Sequence, residues 1–99
     1  MSHSEQVLDR RLRAIADPTR RRILKALKEK GASSIGKEVG LCATDIEERI
    51  PLSQPTISHH MSVLSKAELV EGKKIGHWMW YRRNEGILKD FAKSLKGSL

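Results

Sequence analysis

Cysteine and long apolar runs are scarce in this sequence, and each scarcity excludes a class of protein. Cys42 is the only cysteine among 99 residues, so no disulfide can form within one chain, whereas small secreted domains usually carry several. No stretch approaches the roughly 18 apolar residues that a membrane-spanning helix needs, and the first residues lack the apolar core of a signal peptide. We therefore expect a cytoplasmic protein that has no membrane partner.

Motifs typical of enzymes and metal sites are missing as well. The glycines between positions 31 and 40 do not match the phosphate-binding loop, and no turn that would form an oxyanion hole accompanies Cys42. A structural zinc site needs about four ligands, and the adjacent His59 and His60 would diverge by about 100° on a helix. We expect no catalysis, no bound metal and no cofactor.

Positive charge, by contrast, is abundant. Lys and Arg number 19 against 12 Asp and Glu, which gives a net charge of +7 and a pI of about 9.9. The length and the 38% of hydrophobic residues suit a single folded domain over residues 1–99. The basic excess favours polyanionic partners, such as nucleic acid or an anionic membrane surface.

Apolar residues at helical spacing predict two helices near the start of the chain. The first covers residues 7–16. Asp17 and Pro18 favour the start of a second helix, because Asp is a good N-cap and Pro is tolerated in the first helical turn. The second helix is predicted to end at Lys30, before Gly31. Its predicted buried residues are Ile23, Leu24 and Leu27.

A long loop and a helix-turn-helix are predicted next. Residues 31–41 are rich in Gly and Ser and show no periodicity, which is typical of a loop. Thr44 and Glu47 fit a capping box that begins a short third helix, closed by Pro51. Ser53 is predicted to cap a fourth helix that ends near Ala67. Only a few residues separate the third helix from the fourth, as a helix-turn-helix requires.

The two sides of the fourth helix differ in character. Helical geometry places an apolar set inward, namely Ile57, His60, Met61, Leu64 and Ala67. The outward set carries short polar groups and one cation: Gln54, Pro55, Ser58, His59, Ser62 and Lys66. A solvated face usually carries Glu and Lys pairs, whereas short donors and acceptors allow close approach to base edges in a DNA major groove.

The last third of the chain is predicted to form a β-hairpin and a closing helix. Residues 69–83 flank a turn around Ile75 and Gly76, and Asn84 caps the final helix. The predicted fold is mostly α with a small β element (α+β), in the order α-α-α-α-β-β-α. Lys73 and Lys74 precede the turn, where a hairpin following a helix-turn-helix would meet a phosphate backbone. Arg82 and Arg83 lie at the far end.

Alternation in the second strand of the hairpin predicts a buried strand. Trp78 and Trp80 share one face, and Met79 and Tyr81 share the other, so burial on both sides is expected. Packing in the core or in a dimer interface is a simpler interpretation of the two tryptophans than stacking on bases.

These motifs together resemble the ArsR/SmtB family of bacterial winged-helix regulators. Four stretches carry the resemblance in the right order: AIADPTRRRIL, LCATDI, LSQPTISHHMSVL and LVEGKKIGHWMWYR. The resemblance implies a homodimeric repressor that reads a pseudopalindromic operator in double-stranded DNA. The implied DNA contacts are Gln54, Pro55, Thr56, Ser58, His59, Ser62, Lys73, Lys74 and Gly76. The implied dimer interface, through the first and last helices, comprises Val7, Leu8, Leu12, Ile15, Ile87, Leu88, Phe91 and Leu95.

The sequence departs from the family's metal-sensing patterns. Many relatives hold a soft ion with a Cys-x-Cys pair at the third helix, but here Cys42 is followed by Ala43 and Thr44. Others bind metal between their closing helices through a carboxylate and histidines, and here only Asp90 remains, with no histidine after His77. We therefore predict no metal site, and the inducer stays unassigned. A thiol- or metal-responsive regulator is a further alternative, and it would show a ligand-dependent loss of DNA affinity that vanishes in Cys42→Ser.

An alternative from another class is a winged helix that serves protein interaction or dimerisation. Its basic surface would then give only solubility or general affinity for nucleic acid. Binding without sequence preference would distinguish it from a regulator.

Overall fold

The computed structural model describes residues 2–28 and 41–99, and this part contains five helices and three strands. In chain order these are α1 (His3–Ile15), α2 (Pro18–Lys28), β1 (Leu41–Cys42), α3 (Ala43–Arg49), α4 (Gln54–Lys66), β2 (Val70–Ile75), β3 (Trp78–Arg83) and α5 (Glu85–Ser98). The predicted order of helices and hairpin is confirmed, and β1 is an addition. The predicted end of the second helix and positions 31–40 of the predicted loop lie outside the described residues. The loop prediction is wrong for its last residue, Leu41, because pairing with β3 makes that residue the start of β1.

Side-chain oxygens cap the starts of four helices, α1, α2, α4 and α5, and the predicted cap of α2 is confirmed because Asp17 accepts the N–H groups of Thr19 and Arg20. Ser53 and Asn84 cap α4 and α5 through their side-chain oxygens, as predicted. Helix α1 begins at His3, four residues earlier than the apolar spacing indicated, because the Ser2 Oγ accepts the N–H of Glu5 at 3.2 Å. The cap extends α1 by a first turn of polar residues, and apolar spacing could not predict this turn because it contains no apolar residue.

The predicted capping box of α3 is wrong by two residues. The N-cap is Cys42 rather than Thr44, and the third helical residue is Asp45 rather than Glu47. The Asp45 carboxylate accepts the Cys42 backbone N–H at 3.2 Å and lies 3.4 Å from the Cys42 Sγ. Because β1 ends at Cys42, pairing with β3 brings the chain into extended geometry there and sets where the helix starts.

The three strands form one antiparallel sheet in the order β1-β3-β2. Cys42 pairs with Trp80, and Gly72 pairs with Tyr81. A Cβ at Gly72 would lie 2.8 Å from the Met79 Cε and 3.2 Å from the Tyr81 Cε1, so glycine lets these side chains lie across β2.

Burial of β3 on both sides is confirmed only in the middle of the strand. Trp80 is 6% exposed and Tyr81 is half-buried, whereas Trp78 is 57% and Met79 is 41% exposed. The prediction is wrong for these two residues because they adjoin the turn. The pleat assigns a residue to a face, but burial also requires something packed against that face.

The hydrophobic core gathers around the inner side of α4. Ile57, Met61 and Leu64 are at most 1% exposed, and residues of α2, α3, β2 and α5 join them in one cluster. Of the predicted buried set on α2, Ile23 and Leu24 are buried, while Leu27 is half-buried against the cluster. None of the helices in the described ranges meets the length and apolarity needed to span a membrane.

Arg20 joins three helices at the inner side of α4. Its Nε donates to the Ala14 carbonyl at 2.6 Å, and its Nη2 donates to the Arg13 carbonyl at 3.2 Å, so it satisfies the C-terminal end of α1. Its Nη1 lies 3.2 Å from the His60 Nδ1. Guanidinium has no acceptor, so the ring nitrogen accepts. His60 thus lies on the inward side of α4, as predicted, and there it is half-buried and hydrogen-bonded.

Candidate nucleic-acid interface

The outward side of α4 is exposed along its whole length, as the sequence predicted. Gln54, Ser58, His59 and Ser62 are exposed, and the opposite side of the same helix forms the core. Because these side chains are short and the helix behind them is packed, a large flat or grooved partner could approach the backbone of α4 closely. The remaining exposed residues on this side are Pro55, Thr56 and Lys66.

The first turn of α4 combines a cap with positive polarity. The Ser53 Oγ accepts the Thr56 N–H at 3.4 Å and shares a 2.9 Å hydrogen bond with the Thr56 hydroxyl. Pro55 fits the first turn because its missing N–H has no partner to lose. No acidic residue lies in this turn, so the positive end of the helix dipole is left uncompensated there and favours an anion such as phosphate.

The two histidines of α4 separate as predicted. The His59 ring is exposed, while His60 turns inward to Arg20. Their ring centroids are 5.7 Å apart. Only His59 is therefore available to a partner on the outward side.

The hairpin β2–β3 carries its available cations next to the turn. Lys73 and Lys74 are exposed, and within the described ranges no carboxylate pairs with either. Gly76, in the turn itself, has φ of +61°, and a Cβ at this position would meet no other atom within 4 Å. Glycine is favoured there by the left-handed backbone rather than by lack of space.

The arginines at the base of the hairpin make intramolecular contacts instead. Arg82 forms an ion pair with Glu71 at 3.4 Å. The Arg83 Nε lies 2.8 Å from the Glu85 carboxylate, and its Nη1 donates to the Leu24 carbonyl at 3.4 Å. The expected concentration of positive charge along the whole hairpin therefore reduces to the lysines near its tip.

The predicted dimer residues form an apolar band on α1 and α5, which pack against each other. Phe91 differs from the others, because it is only 5% exposed and belongs to the core of the single chain. Its side chain has little surface left to offer a partner. The others are half-buried: Val7, Leu8, Leu12, Ile15, Ile87, Leu88 and Leu95.

Cys42 lies in a setting that favours a structural role. It is buried, and its thiol contacts the Asp45 carboxylate. Across residues 2–28 and 41–99, no three His, Cys, Asp or Glu side chains gather closely enough to hold a metal ion.

Sequence reasoning missed one feature of the surface, the apolar tip of the hairpin. Ile75 and Trp78 pair directly across the turn, with 38% and 57% of their surfaces exposed. The signal was available, since both residues adjoin the turn around Gly76. Burial was inferred from residue type, although the end of a projecting hairpin has few neighbours.

Comparison with known proteins gives consistent matches across the chain. Residues 15–73 match the model of a helix-turn-helix domain family. An arsenical resistance operon repressor from Staphylococcus aureus is 40% identical over 96% of this chain and 81% of its own length. The transcriptional repressor SdpR from Bacillus subtilis is 38% identical over 79% of this chain and 77% of its own length.

A solved structure extends the likeness to the fold. It is the homodimeric winged helix-turn-helix DNA-binding domain, residues 1–100, of a possible ArsR-family transcriptional regulator from Mycobacterium bovis. The TM-score is 0.71 at 20% identity, over 99% of this chain and 87% of that one. At this identity the likeness concerns the fold alone.

Proposed function

Because the chain belongs to the ArsR family of winged helix-turn-helix transcriptional regulators, we propose that it is a homodimeric repressor of a pseudopalindromic operator. Helix α4 enters the major groove of double-stranded DNA, and the hairpin β2–β3 is the wing. The proposal rests above all on α4, whose outward side is short, polar and exposed over its whole length.

Base recognition is assigned to the first half of α4. Gln54 can form a bidentate pair with adenine, and His59 can donate to acceptors on base edges. Thr56 is held by Ser53, so we assign it to the phosphates near the helix N-terminus. Ser58 and Ser62 are short enough to let the helix approach the bases.

The wing lysines supply affinity that does not depend on base sequence. Lys73 and Lys74 are available to phosphates, whereas Arg82 and Arg83 are engaged within the chain. If a dimer neutralises about eight phosphates, the logarithm of the binding constant should fall with the logarithm of the salt concentration with a slope of roughly −7.

Dimerisation is assigned to α1 and α5. The half-buried apolar band on these helices leaves surface that a second copy can cover, and the structural neighbour from Mycobacterium bovis is a homodimer. A two-fold dimer would place its two α4 helices against half-sites one helical turn apart, which is why the operator is expected to be pseudopalindromic.

A thiolate-based response to arsenicals is not proposed for this chain. Soft ions are held by several thiolates, and each chain has one cysteine, buried against Asp45. Arsenite should therefore leave DNA binding unchanged. A loss of affinity at micromolar arsenite that disappears in Cys42→Ser would overturn this.

Selection of bound duplexes from a random DNA library at near-physiological salt tests the proposal. We expect enrichment of an inverted repeat with half-sites about one helical turn apart, and a protein that sediments as a dimer. Gln54→Ala should lose the preference at particular positions, whereas the control Lys89→Ala, an exposed position on α5, should enrich the same repeat. A folded protein that enriches no sequence would favour the interaction-module alternative.

A further inference from the structure

A groove between α1 and the last turns of α4 has the size of a small-ligand site. Its volume is about 480 Å³, within the range that is usual for sites of small molecules. Its cations are exposed, so a ligand can enter from solvent without any rearrangement of the chain. The described residues that line it are Gln6, Asp9, Arg10, Arg13, Val63 and Lys66.

The charge in this groove is unbalanced. Three cations, Arg10, Arg13 and Lys66, line it together with a single carboxylate, Asp9. Among residues 2–28 and 41–99, no carboxylate forms an ion pair with any of these three cations. Cations held near one another repel, and an anion placed between them relieves that repulsion. The groove therefore complements a negatively charged ligand.

The groove also offers apolar surface. Val63 is half-buried there and packs against the core cluster, and the arginine side chains add their methylene groups. An inorganic anion would leave this surface in water. An aromatic carboxylate would cover it with its ring, while its carboxylate could accept two parallel N–H bonds from a guanidinium group.

The groove lies between the two surfaces on which a dimeric DNA-binding protein would depend. Helical geometry places Arg10 and Arg13 on the side of α1 away from Leu8 and Ile15, so dimerisation through the apolar band leaves the groove open. Lys66 lies seven residues after the outward-facing His59, about 10 Å along α4. This distance is close to the screening length at moderate salt, so a charge bound in the groove is felt on the outward side.

We propose that this groove binds a small aromatic carboxylate and that its occupation lowers the affinity of the protein for DNA. The inference rests on the proposed function, because a change in DNA affinity requires a chain that binds duplex DNA. Arg10 and Arg13 hold the carboxylate, and Val63 contacts the ring. The bound anion neutralises cations that attract the duplex, and by linkage DNA weakens the binding of the anion by the same factor.

The first test measures binding in the absence of DNA. The probe is 2-naphthoate, followed by two-dimensional NMR of the ¹⁵N-labelled protein, and 2-naphthamide is its uncharged counterpart with the same ring. We expect a dissociation constant of about 1 mM for 2-naphthoate, with the largest shifts in the amides of residues 6–13 and 63–66. The amide should bind about tenfold more weakly, because it lacks the charge.

Two double variants with the same change in net charge locate the site. Arg10→Gln combined with Arg13→Gln should weaken the binding of 2-naphthoate about tenfold. The matched control combines Arg22→Gln with Lys25→Gln, two exposed cations of α2 that line a different groove. The control should bind 2-naphthoate as the wild type does. The NMR spectrum of each variant without ligand shows whether its fold is kept.

The second test measures the effect on DNA. The affinity of the wild type for its selected duplex, measured by fluorescence anisotropy at low salt, should fall about fivefold when 2-naphthoate saturates the groove. Saturating 2-naphthamide should change it less than twofold. In the Arg10 and Arg13 double variant, 2-naphthoate should leave the DNA affinity unchanged, whereas the control double variant should respond as the wild type does.

The outcomes separate this inference from the function on which it rests. Shifts outside the groove, or equal binding of the acid and its amide, overturn the anion site and leave the repressor proposal intact. Binding in the groove without any change in DNA affinity overturns the regulatory effect. A double variant that loses DNA affinity but still binds 2-naphthoate shows that these arginines serve the duplex instead, which also overturns the inference. A wild type that binds no duplex overturns the repressor proposal and the regulatory effect together, while the titration without DNA still decides the anion site.

Discussion

The recognition helix α4 and the tip of the wing are both exposed and both suited to DNA, yet they are supported differently. Behind the polar side of α4 lie Ile57, Met61 and Leu64, all at most 1% exposed. The wing tip has no such support, and Trp78 and Met79 remain more than 40% exposed. Base reading requires groups held in a fixed geometry, whereas contact with phosphates and sugars tolerates a more adaptable element.

The largest expected effect separates the two regions by stability. Ile57→Ala should lower the free energy of unfolding by about 2–5 kcal/mol, because it leaves a cavity in a packed core. Trp78→Ala removes a larger side chain but should cost less than about 1 kcal/mol, the scale of a cross-strand pair. Urea denaturation monitored by circular dichroism measures both. Equal losses would show that the wing tip is packed in solution.

The next largest expected effect distinguishes α4 from the wing by their contributions to base-sequence preference. Gln54→Ala should cost about 1–3 kcal/mol of binding free energy on the selected operator and relax the preference at particular base pairs. Lys74→Ala should weaken operator and scrambled duplex by the same factor. Competition titrations with both duplexes measure this. If both variants lost affinity uniformly, α4 would not be the reading element.

The cap of α4 tests whether the stability of this helix matters to recognition. Ser53→Ala should destabilise the protein by about 1 kcal/mol, because the Thr56 N–H and hydroxyl both lose their partner. Ser53→Asp is the matched variant, since it restores a capping oxygen. Thermal unfolding should place its midpoint near that of the wild type, and a midpoint as low as that of Ser53→Ala would exclude capping as the cause.

A smaller effect is expected where α4 ends and the wing begins. Glu68 has φ of +63°, and the N–H groups of Glu68 and Leu69 bond back to Ser65 and Leu64 in the pattern that glycine usually completes. Glu68→Gly should be more stable than Glu68→Ala by about 1 kcal/mol. Both variants lose the exposed contact with Arg11, so their difference in urea midpoint isolates the backbone.

The smallest expected effect is on how the stability of the protein depends on pH in the acid range. Desolvation raises the pKa of Asp17, but the backbone N–H groups of Arg20 and Thr19 and the charge of Arg20 outweigh it, so the pKa lies below its usual value. A carboxylate whose pKa is lowered in the folded state stabilises the protein at pH values above its unfolded-state pKa, about 3.9. This stabilisation is lost as the pH falls through the folded-state pKa. Asp17→Asn should therefore flatten the fall in urea midpoint below about pH 4. An unchanged slope would contradict this.

Local signals in the sequence were enough to predict most of the fold. Ser53 and Asn84 are caps followed by apolar periodicity, so the bounds of α4 and the start of α5 followed directly. The exposed side of α4 followed from the same periodicity, because 100° per residue assigns each position to a face. The start of α3 did not follow, since it depends on β1, a two-residue strand that exists only by pairing with β3.

The sequence by itself determined which residues could belong to the core and which could face a partner, because hydrophobic periodicity and capping act over a few neighbouring residues. The tertiary structure decided which of several similar groups are available. Arg82 and Arg83 are engaged, while Lys73 and Lys74 form no ion pair with any residue in the described ranges, and Phe91 is in the core while Trp78 is exposed. These differences depend on contacts between residues far apart in the chain, which no local pattern records.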